Sequence, residues 1–215
     1  MNRKSWAQLG LVVVLLAVAG TMFFRGSSRP RIDFDPYKAL GSVTAEEVAK
    51  ALGGQGRVVL VLPASGPDAD PVMDAQVAAF KSALKARSQG KIEVSATVPV
   101  AMDPFQRMST GGAMPADQFQ ALRRQHADAA GYVFFIGFPA LTEAERSGLQ
   151  GSKTKMMVVS APLPGYDVLL RDGILEFAIV SRTVAADAAP VEAKTTREIF
   201  DREYLLLRSE RAPAP

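Results

Sequence analysis

Residues 57–63 read RVVLVLP, five consecutive apolar residues, three of them β-branched, opened after Gly53-Gly54-Gln55-Gly56 and closed by proline. A strand with one wet face alternates apolar and polar residues. An unbroken apolar run of strand length belongs to a strand buried on both faces. Such a strand needs neighbours on either side and helices above and below the sheet, which narrows the fold class to α/β.

The chain around this run alternates as that class requires. Thr44 and Glu47 have capping-box spacing and are read as opening a first helix that ends at Gly53-Gly54. Val72, Met73, Val77, Phe80 and Leu84 fall at helical spacing within 71–87, with Gly90 as the stop. Strands are expected at 92–98, 132–136 (YVFFI), 155–160 (KMMVVS) and 174–184. Helices are expected at 115–130, where Pro115 suits the first turn, and at 141–149, with a short piece at 166–171. Residues 99–114 are read as a long loop. In the closing segment, Thr195-x-x-Glu198 is a capping box, and 204–208 (YLLLR), which lacks helical periodicity, is read as a terminal strand. The expected architecture is a three-layer α/β/α domain with a mostly parallel sheet of five to six strands. It is divided into an N-terminal segment (1–25), a spacer (26–37), the domain (38–184), an Ala/Pro-rich linker (185–194), a closing segment packed on the domain (195–209) and a frayed tail (210–215).

Trp6 opens and Phe24 closes a 19-residue stretch without a charge, long enough to span a bilayer as a helix. Arg3 and Lys4 precede it, so the short tail stays cytoplasmic and the long C-terminal part is translocated. The expectation is a single-pass anchor in the inner membrane with the domain in the periplasm or outside the cell. The alternative is secretion after cleavage following Ala19, at the A-x-A match Ala17-Val18-Ala19. Removing the flanking Arg3, Lys4 and Arg25 from the 25 basic residues leaves 22, against 22 acidic ones. The pI near 9.3 therefore reflects the membrane-flanking residues, and the folded part has no basic field for nucleic acid. The absence of cysteine excludes disulfides, thiolate metal sites and cysteine nucleophiles.

In an open parallel sheet the ligand crevice lies beyond the carboxyl ends of the strands. The loops there carry Ser65, Asp68, Asp103, Gln106 and Arg107, the candidate ligand-binding residues, with Arg107 the candidate polar clamp. Asp68-Ala69-Asp70 has the pattern of an oxygen-ligand cation site, but Asp70 directly before Pro71 is better read as a helix cap. His126, the only histidine, lies on the inner stripe of its helix and is read as structural. No G-x-S-x-G, P-loop or G-x-G-x-x-G follows the strands, so no catalytic residue, cofactor or metal is assigned. A hydrolase is the third reading, and it requires Asp68, Asp70, Asp103 and His126 to converge.

The order of elements resembles one family. Residues 43–61, with Gly53-Gly54-Gln55-Gly56-Arg57 and the apolar strand, are similar to the start of the second lobe of type 1 periplasmic solute-binding proteins, relatives of LacI-type effector domains. Ala79-Phe80-Lys81-Ser82-Ala83-Leu84 resembles their following helix. Residues 169–176 (LLRDGILE) resemble their late turn into a strand, and 198–207 their closing strand. The resemblance implies one lobe of a sugar-binding fold. It also implies polar ligand groups at positions that here match Asp74-Ala75-Gln76, Phe138-Pro139-Ala140, Ala161-Pro162-Leu163 and Ser181, most of them apolar. The family's helix before the closing strand is expected to be replaced by the Ala/Pro linker. The implied function is a non-enzymatic, membrane-tethered extracytoplasmic domain acting in protein interaction, including self-association, or in ligand sensing. The alternative is a small-solute, sugar-like binding component of a transport or sensing system.

Overall fold

Strand β1 (Gly56–Pro63) runs through the middle of a six-stranded sheet, and Val58, Val59, Leu60 and Val61 are each fully buried. The computed structural model describes residues 32–64, 70–159, 165–182 and 193–209. The apolar segment 6–24, most of the linker at 185–194 and the tail 210–215 lie outside them. No helix among the described residues is long and apolar enough to cross a membrane.

In chain order the elements are α1 (Asp35–Ala51), β1, α2 (Pro71–Arg87), β2 (Ile92–Val100), α3 (Pro104–Thr110), α4 (Ala116–Gln125), β3 (Gly131–Phe134), α5 (Glu143–Ser147), β4 (Lys155–Val159), α6 (Tyr166–Arg171), β5 (Phe177–Ser181), α7 (Thr196–Glu203) and β6 (Tyr204–Arg208). The strand order is β2-β1-β3-β4-β5-β6, parallel throughout except that β6 runs antiparallel to β5. This is the doubly wound order with its switch point between β1 and β3, closed by an antiparallel edge strand.

Successive residues of each strand face opposite layers. Val59, Val61, Tyr132, Phe134, Met156 and Val158 pack with Phe119 and Leu122 of α4 and with Tyr166 and Leu170 of α6. On the other face Val58, Leu60, Val133, Met157 and Ile179 meet Leu40, Val43 and Val48 of α1, Phe80 and Leu84 of α2, and Phe200 of α7. The three-layer architecture is as the sequence predicts.

Several boundaries differ from expectation: the helix expected over 115–130 ends at Gln125 and the strand expected at 132–136 runs Gly131–Phe134. Helix α1 begins at Asp35, within the stretch read as spacer, and Thr44 and Glu47 lie in its middle, both buried. The Thr44 hydroxyl donates to the Leu40 carbonyl at 2.7 Å instead of capping. The stretch 99–114 contains the end of β2 and the helix α3. Strand β5 is shorter than 174–184, because the amides of Ile174 and Leu175 are used to close α6 on the Leu169 carbonyl. The helix before the closing strand is present: Thr195 and Glu198 form the expected capping box, α7 follows, and β6 begins directly after it.

Two contacts fix how the layers fit. Gly41 of α1 lies so close to α2 that a Cβ there would stand 2.2 Å from the Gln76 carbonyl oxygen and 3.0 Å from the Phe80 amide. The buried Glu47 carboxylate accepts from Arg208 at 2.5 Å and from Lys50 at 3.0 Å, tying α1 to β6.

Helix propensity alone favours Gly41→Ala by about 1 kcal/mol. The collision is with backbone and cannot be relieved by a rotamer change, so the substitution should instead destabilise by about 2–3 kcal/mol in urea denaturation. Arg208→Ala leaves a buried carboxylate with Lys50 alone and should cost roughly 1–3 kcal/mol. Glu47→Gln leaves two largely exposed cations that water can solvate, and should cost less in the same assay.

Candidate functional site

Past the carboxyl end of β3 the chain stays buried through Phe138 and Pro139. Gly137 is held by the turn after α3: the Gly137 amide donates to the Gly112 carbonyl at 3.1 Å and the Met114 amide to the Gly137 carbonyl at 2.8 Å. Phe138 then packs edge-on against Phe134 and Phe119, with ring centroids 5.2 and 5.4 Å away. Its amide donates to the Tyr166 hydroxyl at 3.4 Å. These constraints leave a half-open crevice of about 320 Å³ whose walls include Phe138, Pro139, Leu141, Tyr166, Leu169 and Arg146.

Arg146 is placed by a second local device. Thr142 and Glu145 form a capping box that starts α5, and the hydrogen bonds from the Thr142 amide and hydroxyl hold the Glu145 carboxyl below its ordinary range. The next residue, Arg146, turns into the crevice with its Nε buried and without a hydrogen-bond partner among the described residues. A buried guanidinium N–H without an acceptor is costly, and a ligand acceptor would relieve it. The only signal for Arg146 in the sequence is its place in a short capped helix after the third strand, which does not distinguish it from a surface arginine.

The other candidates are distributed as follows. Ser65 and Asp68 lie outside the described residues. Asp70 caps α2, accepting from the Val72 and Met73 amides at 3.0 and 3.1 Å. Asp103 accepts from the Gln106 amide at 2.8 Å and Gln106 Oε1 accepts from the Asp103 amide at 3.3 Å, so both side chains serve the start of α3. Arg107 is exposed on the same helix, and Thr110 is the α3 residue that reaches the crevice. His126 sits half-buried at the C-terminal end of α4, where the chain returns to the amino edge of the sheet to enter β3. Asp70 and Asp103 stand at the carboxyl edge, so the convergence a hydrolase requires is not met by these three residues. No group of three or more His, Asp or Glu among the described residues is placed to hold a metal.

Of the positions matched through the resemblance, Phe138, Pro139 and Ala140 line the crevice, whereas 161–163 lie outside the described residues. Gln76 and Ser181 line a second, smaller cavity on the opposite face, of about 190 Å³, together with Tyr37, Phe135, Val159 and Tyr204. Burial there pushes the Tyr204 phenol up to about 12.

No protein-family model matches the chain, and no curated protein matches it in sequence. Among solved structures it is similar to an ABC transporter solute-binding protein from Burkholderia graminis C4D1M in complex with D-arabinose, with a TM-score of 0.50 and 23% identity over 66% of this chain and 46% of that one. It is also similar to a glucose-galactose binding protein from Geobacillus stearothermophilus, with a TM-score of 0.52 and 14% identity over 84% of this chain and 62% of that one. The described lobe thus has the fold of a single lobe of type 1 periplasmic solute-binding proteins. This chain spans about half the length of the first of these proteins and less than two thirds of the second.

The elevated Tyr204 gives a pH test. An unfolded tyrosine ionises near 10, so between about 10 and 12 the unfolded chain has released a proton that the folded chain keeps. The stability associated with this phenol is complete below pH 10 and is lost as pH rises through 12. Lys50, whose ammonium is held up by Glu46 and Glu47, acts in the same direction. Denaturation midpoints measured across this range should fall, and Tyr204→Phe should flatten part of the fall.

Proposed function

We propose that this chain is a non-enzymatic, membrane-tethered sensing lobe. Residues 6–24 anchor it in the inner membrane, and the carboxyl-edge crevice on the outer side seats a small ligand. The observation that carries the reading is the crevice itself, with largely apolar walls and one guanidinium whose Nε lacks a partner. That chemistry suits a mainly apolar molecule with one anionic or strongly accepting group. A protein partner or a second copy that adds further walls to the half-open crevice is part of this reading. Arg107, exposed on α3, remains a candidate polar contact for such an arrangement, as do Ser65 and Asp68.

A sugar-like solute is the second reading, favoured by the neighbours solved with or named for sugars. Directional hydroxyls need several paired donors and acceptors, and the walls described above offer few.

Thermal melts of the full chain with phenylacetate, hexanoate, D-arabinose, D-glucose and D-galactose separate the readings. The expected result is stabilisation by a carboxylate, reaching about 2.7 kcal/mol at a hundredfold excess over its dissociation constant, with the effect lost in Arg146→Gln. Stabilisation by a sugar alone transfers the conclusion to the second reading. No shift with any of the five overturns ligand sensing at this crevice and leaves protein contact as the lobe's work.

A further inference from the structure

Among the described residues, the two most exposed large apolar side chains stand on one short helix. Phe105 is 78% and Met108 83% exposed, and no residue of α3 is buried. Three positions apart, they share a face. The helix is held firmly in place, with the Asp103–Gln106 capping box at its start, a left-handed Gly111 at its end and the pairing of Gly137 with the turn beyond. Two apolar groups on a capped helix, exposed among the described residues, call for an apolar surface outside the lobe.

The chain's path says which surface. Helix α3 follows β2 and therefore sits at the carboxyl edge of the sheet. The start of α1 is at the same edge, since Tyr37 and Leu40 share a cavity with Phe135, Val159 and Ser181 at the ends of β3, β4 and β5. The chain thus enters the lobe at the edge that carries Phe105 and Met108. Ten residues separate Phe24 from Asp35, a reach of at most about 35 Å. Together the two side chains expose on the order of 300 Å², well below the roughly 800 Å² per partner of a standard protein interface. A contact that small is too weak between freely diffusing molecules. It suffices where a short tether raises the effective concentration to the millimolar range. Arg25, Arg29 and Arg31 outnumber the single acidic residue, Asp33, in the connecting stretch, which favours anionic headgroups, while on α3 itself Arg107 is balanced by the cap Asp103.

We propose that α3 is a membrane-contact helix, with Phe105 and Met108 inserted into the interfacial layer of the bilayer that holds residues 6–24. The lobe is then oriented with its carboxyl edge toward the lipid. This rests on the anchor reading above, and the two are tested apart.

Trp6 is the chain's only tryptophan. The full-length protein is reconstituted in mixed phosphatidylcholine–phosphatidylglycerol vesicles, with and without acyl-chain-brominated phosphatidylcholine. Wild-type emission then reports the anchor, and Trp6→Phe combined with Phe105→Trp reports α3. Phe105 is exposed, so the replacement makes no demand on the core. Trp6→Phe with Lys153→Trp, on the exposed turn before β4 at the opposite edge, is the control. The expected result is bromolipid quenching of the tryptophan at 105 and none at 153. Quenching at Trp6 without quenching at 105 overturns the contact and leaves the anchor standing. A blue-shifted but unquenched tryptophan at 105 assigns α3 to a protein contact, such as a second copy, and also overturns it. Equal quenching at 105 and 153 overturns the orientation. No quenching at Trp6 removes the anchor and this inference with it.

Discussion

The burial of β1 on both faces is the constraint from which the rest of the lobe follows. Val58 and Leu60 face one helical layer and Val59 and Val61 the other, and all four are inaccessible to water. Such a strand needs parallel neighbours on both sides, and β2 and β3 supply them. Because β1 lies between β2 and β3, the crossover through α2 and the one through α3 and α4 run to opposite sides of it. The carboxyl edge opens where they part. The crevice, the start of α1 and the helix α3 all lie along that edge as a consequence.

The layers are joined by contacts of different physical kinds. At Gly41 the absence of a side chain lets α1 and α2 meet backbone to backbone. At Glu47 a carboxylate in the interior of α1 is tolerable only because Arg208 and Lys50 reach it. The second contact also explains the direction of β6. An antiparallel strand entered directly from α7 returns from Tyr204 at the carboxyl edge to Arg208 at the amino edge, where α1 brings Glu47. The closing strand thereby covers the free side of β5 and ties the last described element to the first described helix.

The central strands and α2 were legible because their signals are strong and local. Apolar runs mark strands buried on both faces, and Asp70-Pro71 marks a helix start with a cap in place. The errors share a cause. Ser, Thr, Asp, Glu and Gln satisfy backbone amides, line sites or sit in buried networks with the same atoms, and spacing alone does not separate these uses. Thr44 and Glu47 have the spacing of a cap and are buried mid-helix. Asp103 and Gln106 look like ligand groups in a loop and are the cap of α3. That helix is not legible as a period because its seven residues hold only two apolar positions, Phe105 and Met108, too few to register as a stripe. Arg146 was missed because its significance lies in the burial of one nitrogen, which depends on how α5 and α6 approach.

The apolar residues that first read as the loss of a sugar site carry a more specific meaning once their packing is known. Phe138 and Pro139 do not merely fail to bond a hydroxyl. Phe138 completes an aromatic cluster with Phe119 and Phe134 and offers its amide to Tyr166, so the crevice floor is part of the core and cannot be made polar without loosening the layer beneath it. A floor of that kind restricts polar recognition to the rim, where α5 holds Arg146 and α3 contributes Thr110. The same turn that pairs with Gly137 fixes α3 over the edge with Phe105 and Met108 outward. The crevice floor at Phe138 and the exposed face of α3 are thus joined structurally through the two hydrogen bonds between Gly112–Met114 and Gly137.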